Sequence, residues 1–272
     1  MQRIKGISFA QTKAFSKIFL DYITQNSSLE DFYEFSPTIE GLKQALEKRQ
    51  FSNEQRKNLQ IALKEQYQDI KISENTQKNI ELLQETNTFT VTTAHQPLIF
   101  FGELYFVYKI LTTIKLTKKL KEAFPEYNFV PVYWIGSEDH DFAEISHFRL
   151  FGKKYQWETA QKGAVGRMHL QEMQVLFQEL PEKIELFEKA YTQNKTLAKA
   201  TQWAVNEIFG EKGIVIVDGD SATLKKNLIP VLQNELRTQK SGELVREASE
   251  KLEKLGYKAQ VNPRDINLFY LE

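Results

Sequence analysis

Apolar positions along the 272-residue chain change their period once, near residue 87. Before that point they recur every three or four residues, the spacing of amphipathic helices. Phe15, Ile18, Phe19, Tyr22 and Ile23 share one face of a helix predicted over 9–24, which Asn26-Ser27-Ser28 ends. Residues 29–37 carry Phe32, Tyr33 and Phe35 without a period and read as a loop pinned by its rings. Ile39, Leu42 and Leu46 predict a short helix over 38–49, and Ile80, Leu82 and Leu83 another over 73–85. Between them Ser52 and Gln55 have capping-box spacing, in which each side chain bonds the other residue's amide. A helix from there through about Ile70 follows. The stretch 1–87 is therefore expected to be a helical region packed on a core that comes later.

From residue 88 the pattern becomes that of strands and buried helices. A β-branched run predicts a strand over 88–93. The helix over 103–124 is apolar nearly all round, through Leu104, Phe106, Val107, Tyr108, Ile110, Leu111 and Ile114, so it is buried on more than one side. Lys115, Lys118, Lys119 and Lys121 suit the negative pole of its dipole as a solvated end. After Pro125 a continuous apolar run over 130–135 reads as a second strand, covered on both faces. Residues 145–151 and 155–157 read as a hairpin. Helices are predicted over 168–180, 182–191 and 196–209, the last stopped by Gly210 in the left-handed conformation. A third buried strand over 213–218 follows, then helices over 221–236 and 241–255, the latter capped by Gly256, and short strands over 258–261 and 266–271. Strands alternating with helices define an α/β fold, a doubly wound and mostly parallel sheet over 88–272 with right-handed crossovers. The final run has no turn or cap after it, so the core is expected to be truncated at its C-terminal end.

Charge and composition narrow the partners. The 36 basic and 36 acidic residues cancel, which argues against nucleic acid, since phosphate binding draws on a basic excess. Without cysteine there is no disulfide, thiol nucleophile or thiolate metal site. The mixed polar N-terminus has no signal-peptide core, and no apolar run approaches bilayer length. No membrane partner and a cytoplasmic location are expected.

Candidate chemistry gathers where the first two strands end. The first runs into Thr92-Thr93-Ala94-His95-Gln96-Pro97, the second into Gly136-Ser137-Glu138-Asp139-His140-Asp141. In a parallel sheet such ends face one crevice, where ligands of open α/β sheets bind. Thr92 to His95 resembles the (His/Thr)-x-Gly-His pattern that nucleotidyltransferases and class I aminoacyl-tRNA synthetases place after their first strand. There a small residue admits the nucleotide, the imidazole donates to a phosphate oxygen, and the next helix offers its positive end. Ala94 stands where glycine is usual, and an ordinary loop histidine is the competing reading of His95. Glu138, Asp139, His140 and Asp141, with Glu144 and His147 downstream, can bind a divalent metal, hold a substrate amine, or orient a general base. A solvated acidic loop is the bland alternative.

Taken together, Thr92 to Gln96, Phe101-Gly102-Glu103-Leu104-Tyr105, Tyr108-Lys109-Ile110, the segment from Pro131 to Phe142, His147, Gly213 to Asp218 and the closing Gln260 to Leu271 are similar to the bacillithiol biosynthesis cysteine-adding enzymes. The resemblance covers nearly the whole chain. It implies a Rossmann-type core related to nucleotidyltransferases and class I synthetases, and a cytoplasmic ligase. That ligase would add cysteine to glucosaminyl-malate, its carboxylate activated by ATP or a related nucleotide. Full-length members extend into a coiled coil that pairs two subunits, so a homodimer is implied, with this chain as the N-terminal half. The chemistry of amide formation, set on these strand ends, makes His95, Glu138, Asp139, His140 and Asp141 the expected catalytic residues. Ligand contacts fall to Thr92, Thr93, Gln96, Tyr105, Trp134, Ser137, His147, Asp218 and Asp220. No metal ligand is assigned. Ala94 and the Leu98-Ile99-Phe100 run depart from the family pattern. Two rival readings stay open: a metal-dependent phosphohydrolase built on His140, Asp141 and His147, and a non-catalytic binding domain.

Overall fold

The computed structural model describes residues 6–266 and 268. Backbone contacts gather the chain into two compact units, Phe51–Leu228 and, separately, Met1–Gln50 together with Ile229–Phe269. The helical stretch expected over 1–87 is shared between them. The chain opens, in the second of these units, with α1 (Phe9–Thr12), α2 (Lys17–Ile23) and α3 (Ile39–Lys48). The helix expected over 9–24 is thus two. Ser8 caps one and Ser16 the other, and Lys13 between them takes a left-handed φ of 54°. Phe9, Phe15 and Phe19 close on one another across that break, with ring centroids 4.7 to 5.6 Å apart. The loop expected over 29–37 begins inside a 3-10 turn, Ser27–Phe32.

Phe51–Leu228 is the α/β unit. It starts with α4 (Asn53–Gln66), where Ser52 and Gln55 form both bonds of the capping box, and α5 (Glu74–Leu82). Then come β1 (Thr88–His95), α6 (Tyr105–Ala123), β2 (Asn128–Ile135) and the one-turn α7 (Phe142–Ile145). The antiparallel hairpin β3 (His147–Leu150) and β4 (Lys153–Gln156) follows, then α8 (Met173–Glu179), α9 (Glu185–Gln193), α10 (Leu197–Phe209), β5 (Val215–Asp218) and α11 (Ala222–Lys225). Strands β1, β2 and β5 make a parallel sheet in that order. Five consecutive residues of β2 are buried. Because successive side chains point to opposite faces, helices must cover both sides of it. Strand β1 lies at the edge instead, and Thr90, Thr92 and Ala94 are exposed on its open face. In the register, His95 pairs with Ile135 and Ile135 with Asp218, so the three strands end level.

Long-range bonds moved several boundaries. The helix expected over 168–180 starts only at Met173, because the backbone just before it pairs with the start of α10: His169 bridges Thr196, and the Leu197 amide donates to the Met168 carbonyl at 3.0 Å. Gly210 is not the left-handed cap. It stays right-handed (φ −55°), and its carbonyl accepts the Ser73 and Thr76 hydroxyls at 2.7 and 3.0 Å, so α10 runs on into a 3-10 turn. The left-handed residue is Gly213, at φ 78°. The helix expected over 221–236 is broken into α11, a 3-10 turn over Lys226–Leu228, and α12 (Ile229–Thr238). Pro230 has no amide to continue the ladder there. The last helix, α13 (Lys240–Lys254), is followed by left-handed Gly256 as expected. Residues 258–261 are irregular rather than a strand. The strand expected over 266–271 lies, apart from Ile266 and Leu268, outside the described residues.

Candidate active site

Beyond the level strand ends, the polar residues fall into two groups. The first forms around His95 at the tip of β1. Its Nε2 lies 2.6 Å from the Tyr105 hydroxyl, and its Nδ1 lies 3.2 Å from the Gln96 carbonyl. A carbonyl only accepts, so Nδ1 carries the proton, and Nε2 accepts from the Tyr105 O–H. Burial holds His95 below the usual histidine range, with Lys109 acting in the same direction and the Gln96 carbonyl and Glu144 opposing. Burial likewise raises Tyr105, helped by Glu144 and Glu103, which keeps its hydroxyl protonated. The Lys109 ammonium donates to the Ala94 carbonyl at 2.6 Å and ties α6 to the strand tip.

Thr92 does not join this group. Because β1 runs regularly through His95, Thr92 and Ala94 share its exposed face, whereas Thr93 and His95 share the other. The Thr92 hydroxyl donates to Thr90 Oγ1 at 3.3 Å instead. A nucleotide phosphate gripped jointly by Thr92 and His95 does not fit this donor set, since one side chain faces away and Nε2 of the other is engaged. Between His95 and α6 the backbone is strained: Phe100 and Phe101 have φ of 50° and 62°. Each left-handed non-glycine residue costs about 1–2 kcal/mol. Packing holds the turn, since the Phe100 amide donates to the Tyr191 hydroxyl at 2.6 Å and its ring stacks on Phe148 at 4.2 Å. That turn sets where Tyr105 begins α6. Beside it opens a cleft of about 240 Å³ lined by Leu98, Gly102, Glu103, Tyr105, Glu144 and His147.

The loop after β2 looks catalytic in sequence, yet much of it is occupied in holding its own shape. Asp139 Oδ1 accepts the amides of His140 and Asp141 at 2.6 and 3.0 Å, and its carbonyl accepts Val165 at 2.7 Å. Gln96 donates to Asp139 Oδ2 at 3.0 Å and to Glu144 Oε2 at 2.9 Å, binding this loop to β1. Asp141 caps α7 through the Glu144 amide at 3.1 Å. His147 Nδ1 is 3.1 Å from the Ala143 carbonyl, and the His140 side chain is 77% exposed. Among the described residues, no three His, Asp or Glu side chains gather in a geometry that could hold a metal.

The second group joins β2 to β5. Ser137 donates to the Asp218 carboxylate, and the Asp220 amide approaches Ser137 Oγ at 3.3 Å and Asp218 Oδ1 at 3.0 Å. Gln66 grips the Asp218 backbone from both sides, at 2.8 and 3.0 Å. The Gly166 amide donates to the Ser137 carbonyl at 2.8 Å, and a Cβ on Gly166 would stand 2.3 Å from Ser137 Cβ, so only glycine fits. Asp220 is held by Arg167 at 2.5 and 2.9 Å and by Lys225 at 2.7 Å. Burial alone would raise its carboxyl, but these two cations outweigh it and hold Asp220 below the usual range. Trp134 and Glu138 close over Gly219, whose missing Cβ would lie 2.7 Å from the indole nitrogen and 2.9 Å from Glu138 Oε2.

Glu138 is the residue left unsatisfied. Its Oε2 is buried with no hydrogen-bond partner among the described residues. Burial raises its carboxyl, with Asp220 and Asp218 adding and Lys225 opposing. A folded value above the unfolded one means that Glu138 contributes most to stability when protonated. That contribution is lost as pH rises from the ordinary glutamate value through the folded one. Glu138→Gln is therefore expected to gain in melting temperature relative to the parent between pH 4 and pH 7. Differential scanning calorimetry at both values checks this, and a pH-independent difference would remove the strain from the site.

Of the residues expected from sequence, His95, Gln96, Tyr105, Asp139 and His147 lie in or beside the first group, where Tyr105 and His147 line the cleft, and Trp134, Ser137, Glu138, Asp218 and Asp220 form the second. Thr92 and His140 stand apart from both. Arg167, Lys225, Gln66 and Gly166 were missed, having no local pattern to mark them, and Lys109 was noted only within the Tyr108-Lys109-Ile110 resemblance, without a role.

A parallel sheet packed against helices, with polar side chains gathered beyond its carboxyl edge, defines a Rossmann-like domain. More particularly, the chain belongs to the bacillithiol biosynthesis BshC family, whose N-terminal Rossmann-like domain matches residues 2–272. Among its relatives is a protein of Flavobacterium psychrophilum named "Putative cysteine ligase BshC", 46% identical over 98% of this chain and 52% of the relative. Proteins of the same name from Flavobacterium johnsoniae and Cytophaga hutchinsonii are 45% and 42% identical. They cover 98% and 99% of this chain, each over 52% of its own length. The chain thus spans about half the length of the curated relatives it matches. No helix among the described residues is long and apolar enough to cross a membrane.

Proposed function

We propose that this chain is the Rossmann-like half of a cytoplasmic, homodimeric ligase that joins the carboxyl group of cysteine to the amine of glucosaminyl-malate, forming bacillithiol. Support comes from the family and from its relatives' name. The observation that carries the reading is the level ending of three parallel strands with ionisable side chains beyond each, at His95, Glu138 and Asp218. An amide does not form from a free carboxylate without activation, and ATP or a related nucleotide is the proposed activator. Within the chain, the Tyr105–His95 pair offers a base, and Glu138, whose carboxyl burial raises above the ordinary glutamate value, is a second group for proton exchange. Asp218 and Asp220, with Ser137, form the polar floor on which a ligand would be oriented.

Full-length protein given cysteine, glucosaminyl-malate and ATP is expected to yield bacillithiol, detected by mass spectrometry. Calorimetry of the 272-residue chain with each substrate separates binding from turnover. A full-length protein that binds neither cysteine nor glucosaminyl-malate and forms no amide would overturn the reading. Binding without catalysis by the chain alone is the second reading, favoured by its covering half of its relatives' length.

A further inference from the structure

We infer that Tyr105 is the group this site presents to its substrate, and that His95 stands behind it as the base that receives its proton. The inference rests on the ligase reading for its substrate, but on local geometry for its residues. Tyr105 lines the 240 Å³ cleft and His95 does not. Both nitrogens of His95 are committed, Nδ1 to the Gln96 carbonyl and Nε2 to the Tyr105 hydroxyl at 2.6 Å. A ligand arriving through the cleft therefore meets the phenol first. Tyr105 is 46% exposed, whereas His95 is half-buried with the Phe106 ring edge-on to its imidazole at 5.9 Å.

The surroundings poise the pair. Lys109 on α6, bonded to the Ala94 carbonyl, disfavours an imidazolium; Glu144 on α7 favours one, and Gln96 fixes that carboxylate at 2.9 Å. Glu103 and His147 are the other titratable groups around the cleft, and Asp139 shares the Gln96 amide. The carboxylates of Glu103 and Glu144 suit an ammonium-bearing substrate in charge.

In amide formation, the amine nitrogen attacks the activated carboxyl carbon. The new C–N bond forms as the carbon–oxygen bond to the activating group breaks, and that group leaves with the electron pair. The nitrogen's surplus proton passes to the Tyr105 oxygen while the Tyr105 proton passes to His95 Nε2. The imidazole becomes an imidazolium, and the phenol is restored. The role expected from the sequence motif, an imidazole donating directly to a phosphate, requires Nε2 to carry a proton that this geometry gives to tyrosine.

The test uses the full-length protein with Tyr105→Phe, His95→Gln and the double variant. Tyr105→Phe keeps the ring and is expected to lower kcat about a hundredfold, with KM for the amine substrate nearly unchanged. The double variant should be no slower than the slower single one, because the two residues act as a unit. Nitrogen-15 NMR of the parent should show neutral His95 protonated at Nδ1, and in Tyr105→Phe its titration should shift. Wild-type kcat in Tyr105→Phe, or additive losses in the double variant, would overturn the relay. So would an Nε2-protonated tautomer. If amide formation fails for every variant and the parent alike, the substrate assignment falls, while the NMR result still decides the pair.

Discussion

Replacing His95 by alanine in the full-length protein is expected to cost on the order of a hundredfold or more in turnover, the usual loss when a positioned acid–base group is removed. The reason lies in what His95 holds. Its Nε2 accepts the Tyr105 hydroxyl at 2.6 Å, and no other described side chain bonds that hydroxyl. Removing the imidazole leaves the phenol with a raised, unassisted proton. The pH dependence carries a sign. A base works only when unprotonated, and burial holds His95 below the ordinary value near 6.5, so the acidic limb of kcat/KM should fall below that pH. A rate profile in which that limb lies at or above the ordinary value would contradict the neutral imidazole. Unchanged turnover in His95→Ala would take the residue out of the mechanism altogether.

The largest effect on stability is expected at Arg56, which bonds the opposite end of β1 from His95. Its buried guanidinium donates to the carbonyls of Leu83, Thr86 and Thr88 at 2.9, 3.2 and 3.2 Å, joining α4 to the end of α5 and the first residue of β1. Arg56→Met keeps the aliphatic stem but strips three backbone acceptors of their donor. Charged hydrogen bonds and stranded buried groups are each worth about 1–3 kcal/mol, so a net loss of about 3 kcal/mol is expected after relaxation. For a unit of this size that is a fall of roughly 6–12 °C in Tm. Arg56→Lys should not rescue it, since one ammonium cannot span three carbonyls as a planar fork does. Chemical denaturation measures both variants, and a loss under about 1 kcal/mol in Arg56→Met would mean that water replaces the fork.

Features that depend on neighbours in sequence were readable in advance. The Ser52–Gln55 capping box was read because the bonded amide is three residues away, and the helix starts set at 73 and 196 match the structure, where Ser73 and Thr196 are the caps. Strand β2 announced itself as a continuous apolar run, and the polar stretches after β1, β2 and β5 marked one edge of the sheet. Where bonds come from afar, reading failed. Gly210 stays right-handed because Ser73 and Thr76, more than a hundred residues earlier, hold its carbonyl. The loop after β2 is likewise tied down from a distance, since the Asp139 carbonyl accepts the Val165 amide and Gln96 donates to the Asp139 carboxylate. Arg167 and Lys225 were invisible until the fold set both beside Asp220.

By itself, the sequence determined the α/β class, the order of strands and helices, and the crevice edge where His95, Glu138 and Asp218 would stand, because periodicity and capping are local. Only the tertiary structure decided what those groups are chemically. Whether His95 is neutral, which nitrogen holds its proton, and whether Glu138 finds a partner depend on burial and on hydrogen bonds to residues remote in sequence. Those are properties of an environment, and the environment exists only once the chain has folded.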